Sequence, residues 1–71
     1  MRILPQKVPR RIVVYAKDVM NMTGRKERAA QLLLQRIRER FKKSKDAYVS
    51  VREFSLYTGL DEDLVWDSLL D

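Results

Sequence analysis

The side chains best suited to chemistry are the guanidinium, ammonium and carboxamide groups concentrated between residues 25 and 43. This stretch has no Gly or Pro and many strong helix formers, so it predicts a helix. At about 100° per residue, one side is apolar and the other is largely basic. The apolar side holds Ala30, Leu33, Leu34, Ile37 and Phe41, and the polar side holds Arg25, Arg28, Gln31, Leu32, Gln35, Glu39 and Lys42. Such polar groups bond to phosphates and to base edges, so nucleic acid is the first ligand class to consider.

Other kinds of chemistry lack the residues that they need. The chain contains no Cys and no His, which excludes disulfides and any His- or Cys-based catalytic or metal site. No Gly-rich phosphate loop is present, and the carboxylate pair Asp61 and Asp63 is explained as helix capping. We therefore expect no enzyme activity, no catalytic residue, no cofactor and no metal.

Charge is divided unevenly along the chain. Residues 1–45 hold 14 Lys and Arg against 3 Asp and Glu, a net charge of +11. Residues 46–71 hold 1 against 7, a net charge of −6. This division suggests that the first part faces a polyanion and the second part does something else, although a solubilising surface with mutually attracting halves would have the same composition.

The composition of the 71 residues is that of one small globular domain, with 45% hydrophobic and 35% charged residues. No apolar run approaches the roughly 18 residues that a membrane span requires, and no signal-peptide core follows the N-terminal charges. We expect a cytoplasmic protein without a membrane partner.

Residues 1–11 carry both prolines, Pro5 and Pro9, and four basic residues. This spacing favours an extended, flexible basic arm. Such an arm could follow a DNA backbone or enter a minor groove, or it could be a frayed terminus.

The elements that position the basic helix form the first half of the domain, residues 12–45. Residues 12–15 are β-branched or aromatic and predict a short extended segment. Residues 16–22 have helical spacing, and Thr23-Gly24 ends that helix because Gly takes a positive φ without a steric penalty. The basic helix over residues 25–43 follows.

The second half, residues 46–71, has the same order of elements. Residues 47–49 are a second extended segment, and Ser50 with Glu53 has the form of a capping box for a helix through Tyr57. Thr58-Gly59 is the second turn. Asp61 is a suitable N-cap for a last helix through Leu70.

The two halves are related by a shift of 35 residues. The shift aligns Val14 with Val49, Lys17 with Arg52, Asp18 with Glu53, Val19 with Phe54, Met22 with Tyr57, Thr23-Gly24 with Thr58-Gly59, Glu27 with Glu62 and Leu34 with Leu69. We read them as two helix-turn-helix-like halves, one basic and one acidic, that share a single core.

A short helix, a turn containing Gly and a longer helix with outward polar side chains is the helix-turn-helix outline. The motif Ala16-Lys-Asp-Val, followed by Thr-Gly-Arg-Lys-Glu-Arg-Ala-Ala-Gln, resembles small modules of excisionase-like proteins, regulators of mobile elements and short proteins of Bacteroides-type genomes. The resemblance covers residues 12–43 well and residues 48–70 in outline. The expected fold is mainly α, a helix-turn-helix that is either winged or a tandem pseudo-repeat, with short extended segments before each helical pair.

The resemblance implies a recognition helix that begins near Arg25 or Lys26. Lys26, Glu27, Arg28, Gln31, Leu32 and Gln35 would point into the major groove of double-stranded DNA. Arg28 suits a guanine, and Gln31 or Gln35 an adenine. Lys17, Arg25, Arg36, Lys42 and Lys43 would lie nearer to phosphates. The implied function is that of a transcriptional regulator or an excisionase-like architectural factor.

The alternative function is a protein–protein adaptor that uses the acidic half. Trp66 aligns with outward-facing Gln31, so it either packs in the core or anchors an interface. Leu32 lies on the polar side of the basic helix, where it could meet a thymine methyl or another protein. Leu32, Trp66 and Leu70 are the candidate interface residues, and the partner would be a second copy or a larger protein.

Overall fold

The structure, a computed structural model, describes residues 12–69. Two helix pairs are joined by a short two-stranded ribbon. The elements are β1 (Val13–Val14), α1 (Ala16–Thr23), α2 (Glu27–Arg40), β2 (Val49–Ser50), α3 (Val51–Thr58) and α4 (Glu62–Ser68). The expected mainly α fold is confirmed. The predicted basic arm, residues 1–11, and the candidate interface residue Leu70 lie outside the described residues.

Helix α1 begins and ends through local hydrogen bonds. The Tyr15 amide donates to Oδ2 of Asp18 at 2.8 Å, which satisfies a donor at the start of the helix. At the other end Gly24 has φ 76°, and its amide donates to the Met20 carbonyl at 2.9 Å. Thr23 Oγ1 donates to the Val19 carbonyl at 2.7 Å and accepts from the Arg25 amide at 3.2 Å. These bonds end the helix and direct the chain towards α2.

Helix α3 repeats this arrangement 35 residues later. The predicted capping box is present, since the Glu53 amide donates to Ser50 Oγ at 3.1 Å and the Ser50 amide to Glu53 Oε1 at 3.0 Å. Gly59 has φ 79°. Thr58 Oγ1 donates to the Phe54 carbonyl at 2.7 Å and accepts from the Leu60 amide at 3.3 Å. The repeat seen in the sequence is therefore also a repeat of hydrogen bonds.

The ribbon shows how the two halves are placed. Strands β1 and β2 are antiparallel, and Val14 lies opposite Val49, its own equivalent after the shift of 35. An antiparallel pair in which equivalent residues face each other has an approximate two-fold axis between them. The contacts agree with this axis, because α1 packs against α4 while α2 packs against α3. Among the described residues the strands come from different halves rather than from one hairpin, so the arrangement is the tandem pseudo-repeat and not the winged form.

The core lies between the two halves and draws on both. Val19, Ile37 and Phe54 are fully buried, and Val14 and Val49 cover them from the ribbon. The predicted apolar side of the basic helix is confirmed: Ala30, Leu34 and Ile37 are buried, and Leu33 and Phe41 pack against the core. Neither helix pair closes the core alone, since each leaves apolar residues for the other to cover.

Both predicted ends of the basic helix are corrected. Helix α2 runs over Glu27–Arg40, not over residues 25–43. At its start, Thr23 Oγ1 accepts from the Arg25 amide and Lys26 has extended backbone as the N-cap. At its end, Lys42 has φ 57°, and the Lys43 amide donates to the Arg38 carbonyl at 2.8 Å, a bond pattern that stops a helix.

The last helix, α4, ends at Ser68 rather than continuing through Leu70. Leu69 already has extended backbone, with ψ 138°. The predicted N-cap is confirmed, because Oδ1 of Asp61 accepts from the Asp63 amide at 2.9 Å and from the Leu64 amide at 3.3 Å.

Candidate nucleic-acid interface

The candidate site is the side of α2 that faces away from the core. Arg28, Gln31, Leu32 and Arg36 are exposed there, and Gln35 is partly buried. Because Ala30, Leu34 and Ile37 anchor the opposite side in the core, the helix cannot turn these polar groups inward. The structure thus presents a fixed polar surface over about three helical turns.

The N-terminal end of α2 extends this surface. Arg25 and Lys26 are exposed and lie just before the first helical residue, Glu27. The free amides of a helix N-terminus and its positive dipole end favour an anion, so two cations here add to a favourable potential. The structure therefore brings six predicted contacts together on α2 and the two residues before it: Arg25, Lys26, Arg28, Gln31, Gln35 and Arg36.

The remaining predicted contacts lie elsewhere. Lys17 is exposed on α1. Lys42 and Lys43 follow the end of α2, which is about 20 Å from its start at 1.5 Å per residue. A ligand that reached all three would have to extend well beyond α2.

The two glutamines are paired along the helix surface. Gln31 Nε2 donates to Oε2 of Glu27 at 3.3 Å, and Gln35 Oε1 accepts from Arg38 Nη1 at 3.3 Å. Both bonds are long, and the first is exposed, so a base edge could replace them at little cost. These hydrogen bonds orient the two side-chain amides but are weak enough to be exchanged for bonds to a ligand.

Lys43 is partly buried and makes contacts within the chain. Its ammonium donates to Oε1 of Glu53 at 2.7 Å and to the Tyr48 carbonyl at 2.6 Å. Burial alone would raise the pKa of Glu53, but hydrogen bonds from Lys43 and Ser50 and the charge of Lys43 outweigh it and lower that pKa. Much of the Lys43 charge is thus balanced by Glu53, and the pair links the end of α2 to α3.

Arg38 has a similar structural role. Its Nε donates to the Ala47 carbonyl at 2.7 Å, which ties α2 to the segment before β2. Of the basic residues along α2, Arg28, Arg36 and Arg40 are exposed, whereas Arg38 is partly buried.

A groove of about 400 Å³ lies between α2 and the ribbon. Its walls include Gln31, Gln35 and Arg38 on one side and Tyr15 and Tyr48 on the other. The two tyrosine rings meet edge to face, with centroids 6.3 Å apart and an interplanar angle of 86°. Sequence reasoning missed both tyrosines as part of the site. Strand alternation was the available signal, since residues beside inward-facing Val14 and Val49 must face outward.

The candidate interface residues differ in exposure. Leu32 is 52% exposed on the outward side of α2. Trp66 is partly buried and packs against the core, at the position in α4 that corresponds to Gln31. Packing against the core therefore accounts for the partial burial of the Trp66 side chain.

The second half presents the opposite charge. Glu62, Asp63 and Asp67 are exposed on α4, and Asp61 caps that helix. A phosphate would be repelled here at the same distances at which α2 attracts it. The two halves thus share a backbone plan but differ in the ligand that each can accept.

Within residues 12–69, no group of three or more Asp and Glu side chains is arranged to hold a metal ion. In the same part of the chain, no helix combines the length and apolar character that crossing a membrane requires.

Comparison of the chain with protein-family models, with curated proteins and with solved structures finds no match.

Proposed function

We propose that this is a cytoplasmic DNA-binding protein, a transcriptional regulator or an excisionase-like architectural factor, that places α2 in the major groove. The observation that supports this most directly is the outward side of α2, where Arg28, Gln31 and Arg36 are exposed on a helix fixed by its buried side. Charged and amide donors on a rigid helix are what base edges and phosphates require.

The dimensions of α2 suit this role. Its 14 residues make about 21 Å of helix, and a B-DNA major groove of about 12 Å width admits one α-helix. With the N-terminal end of α2 towards the DNA, Arg28 and Gln31 approach base edges, while Arg25 and Lys26 lie beside the phosphates. Arg28 would take a guanine through a bidentate contact.

The charge distribution supports a single orientation. The acidic side chains of α4 are exposed, so DNA that approached the second half would meet repulsion. The opposed charges orient the molecule before contact, which raises the rate of productive encounter. One helix, rather than the pair related by the two-fold axis, would read the duplex.

The test is fluorescence anisotropy with a labelled duplex of mixed sequence at several salt concentrations. If Arg25, Lys26 and Arg36 contact phosphates, a plot of the logarithm of the association constant against the logarithm of the salt concentration should have a slope of about −3. Arg28→Glu should weaken binding at least tenfold, because it replaces an attractive contact with repulsion.

Arg52→Glu is the matched control, since Arg52 is also exposed and the substitution changes the net charge equally. It should weaken binding much less than Arg28→Glu if α2 is the contact surface. Equal effects from the two variants, with both folded by circular dichroism, would contradict the proposal.

A second candidate is a protein–protein adaptor that uses the acidic half. It is favoured by the exposure of Leu60 and Leu64 beside the carboxylates of α4. In that case DNA binding would be weak and insensitive to Arg28→Glu. A folded Trp66→Ala variant would then lose its oligomers or its partner.

A further inference from the structure

Two surface grooves occupy equivalent places in the two halves. The basic groove, between α2 and α3, is lined by Arg25, Ala29, Leu32, Leu33, Arg36 and Tyr57. The second groove, between α4 and α1, is lined by Met22, Leu60, Leu64, Val65 and Ser68. We call it the acidic groove after the exposed carboxylates of α4, which do not line it themselves. The shift of 35 residues takes Arg25 to Leu60, Ala29 to Leu64, Leu33 to Ser68, and Tyr57 to Met22. The approximate two-fold axis therefore relates the two grooves, which have equivalent positions in the two halves but different side chains.

The basic groove combines apolar surface with two cations. It encloses about 390 Å³, and the exposed side chains of Leu32 and Tyr57 contribute apolar area to it. Arg25 and Arg36 are both exposed. Guanidinium groups beside apolar area suit a protein surface that carries carboxylates around an apolar centre.

The acidic groove has the complementary features. Leu64 is 64% exposed and Leu60 is also exposed, so apolar side chains project from this groove, which encloses about 170 Å³. Asp63 and Asp67 are exposed and adjoin Leu64 in α4. No Lys or Arg occurs between residues 59 and 69, so nothing on α4 itself offsets these carboxylates.

We propose that the acidic groove of one copy of this chain docks on the basic groove of a second copy. Leu60 and Leu64 would cover Leu32 and Tyr57, while Asp63 and Asp67 would face Arg25 and Arg36. Charge complementarity selects this pairing, because two basic grooves or two acidic grooves would repel each other. The occupant is a second copy because the chain itself supplies both the apolar projection and the acidic rim that the basic groove lacks.

This contact is heterologous, since it joins unlike surfaces. Each bound copy retains one free groove, so association continues until the rotation between copies closes a ring. The inference goes beyond the proposed function and uses two of the same cations. Arg25 and Arg36 cannot contact phosphate and a neighbouring Asp at once, so DNA and self-association should compete.

The experiment is sedimentation velocity on two charge-reversal variants, without DNA. Arg25→Glu/Arg36→Glu makes both grooves acidic, and Asp63→Lys/Asp67→Lys makes both basic. Neither variant alters a buried residue or the Asp61 cap. At low ionic strength the wild-type protein should show a weight-average mass that rises with concentration, and each variant alone should be monomeric. An equimolar mixture should associate again, because every groove then has a partner of opposite charge.

Lys45→Glu/Arg52→Glu is the matched control. It makes the same change in net charge as the first variant, and neither residue lines either groove. This variant should associate as the wild-type protein does. Added salt should dissociate the wild-type assembly, because it screens the exposed charges.

Three results would overturn the inference. The first is a wild-type protein that stays monomeric at every concentration. The second is a mixture of the two folded groove variants that stays monomeric. The third is a control variant that loses association to the same extent as Arg25→Glu/Arg36→Glu. Since no DNA is present, none of these results depends on the proposed nucleic-acid surface.

Discussion

Asp18 and Glu53 occupy equivalent positions in the two halves and do the same local work, but they differ in burial. The Asp18 side chain accepts from the Tyr15 amide at 2.8 Å, and the residue is 0% exposed. Glu53 accepts from the Ser50 amide at 3.0 Å, and its side chain is 24% exposed. Burial should therefore decide most of the difference in stability between the two carboxylates, and it should outweigh the ion pair that Glu53 makes with Lys43.

The two costs can be estimated from these contacts. Asp18→Ala leaves the Tyr15 amide without this acceptor, which costs about 1–3 kcal/mol, and the truncation of a buried side chain adds about 1 kcal/mol. We expect a total of about 3 kcal/mol. Glu53→Ala removes an ion pair worth about 0.2–1 kcal/mol and part of a capping box, and water can reach the freed amide. We expect about 1 kcal/mol there.

Urea unfolding followed by circular dichroism measures both costs. A domain of this length has about 4–10 kcal/mol of stability, so Asp18→Ala should lower the midpoint severely and Glu53→Ala only modestly. Asp18→Asn is the control, because the Asn side-chain carbonyl can still accept from the Tyr15 amide. This variant should lose only about half as much stability as Asp18→Ala. Equal costs for the two alanine variants within about 0.5 kcal/mol, or a larger cost for Glu53→Ala, would refute the reasoning.

Three further predictions concern the same local features. Glu53→Gln keeps an acceptor for Ser50 but loses the charge that pairs with Lys43. Because folding lowers the pKa of Glu53, the wild-type protein should be more stable than this variant above the ordinary glutamate pKa of 4.5. This difference in stability should vanish as the pH falls through the lower pKa of the folded state. Urea titrations at several pH values measure this, and a difference that grows in acid would contradict it. Lys42→Gly should stabilise the domain by about 0.5–1 kcal/mol, because Lys42 has φ 57° and Gly takes that conformation without strain; a lower thermal midpoint would be the contrary result. Gly24→Ala should destabilise by about 1 kcal/mol through backbone strain alone, since φ is 76° and no heavy atom beyond Gly24 and its two chain neighbours lies within 4 Å of the added Cβ position. An unchanged unfolding midpoint would show that this turn tolerates a Cβ.

The local plan of the chain could be predicted because its causes are local. Helix periodicity, Thr-Gly turns and capping residues act through hydrogen bonds between residues two to four positions apart, as with Ser50 and Glu53 or Thr58 and Phe54. The buried side of α2 followed from the spacing of Ala30, Leu34 and Ile37. The shift of 35 residues showed that this plan occurs twice.

Helix ends were harder to place, because competing local bonds are not visible in residue type. Helix formers continue through Lys43, yet the backbone turns at Lys42. Beyond this turn, Lys43 contacts Glu53, ten residues further along the chain. Such a contact gives no periodic signal in the sequence.

The sequence by itself determined four helices, their apolar sides and the opposite charges of the two halves. Only the tertiary structure decided how the halves meet, because the register of Val14 against Val49 joins residues 35 positions apart. That register placed Tyr15 and Tyr48 beside the polar side of α2 and packed Trp66 against the core. It also made two equivalent grooves out of the α2–α3 and α4–α1 contacts. The basic helix between residues 25 and 43 remains the centre of the functional proposal, now as a surface fixed at Glu27–Arg40.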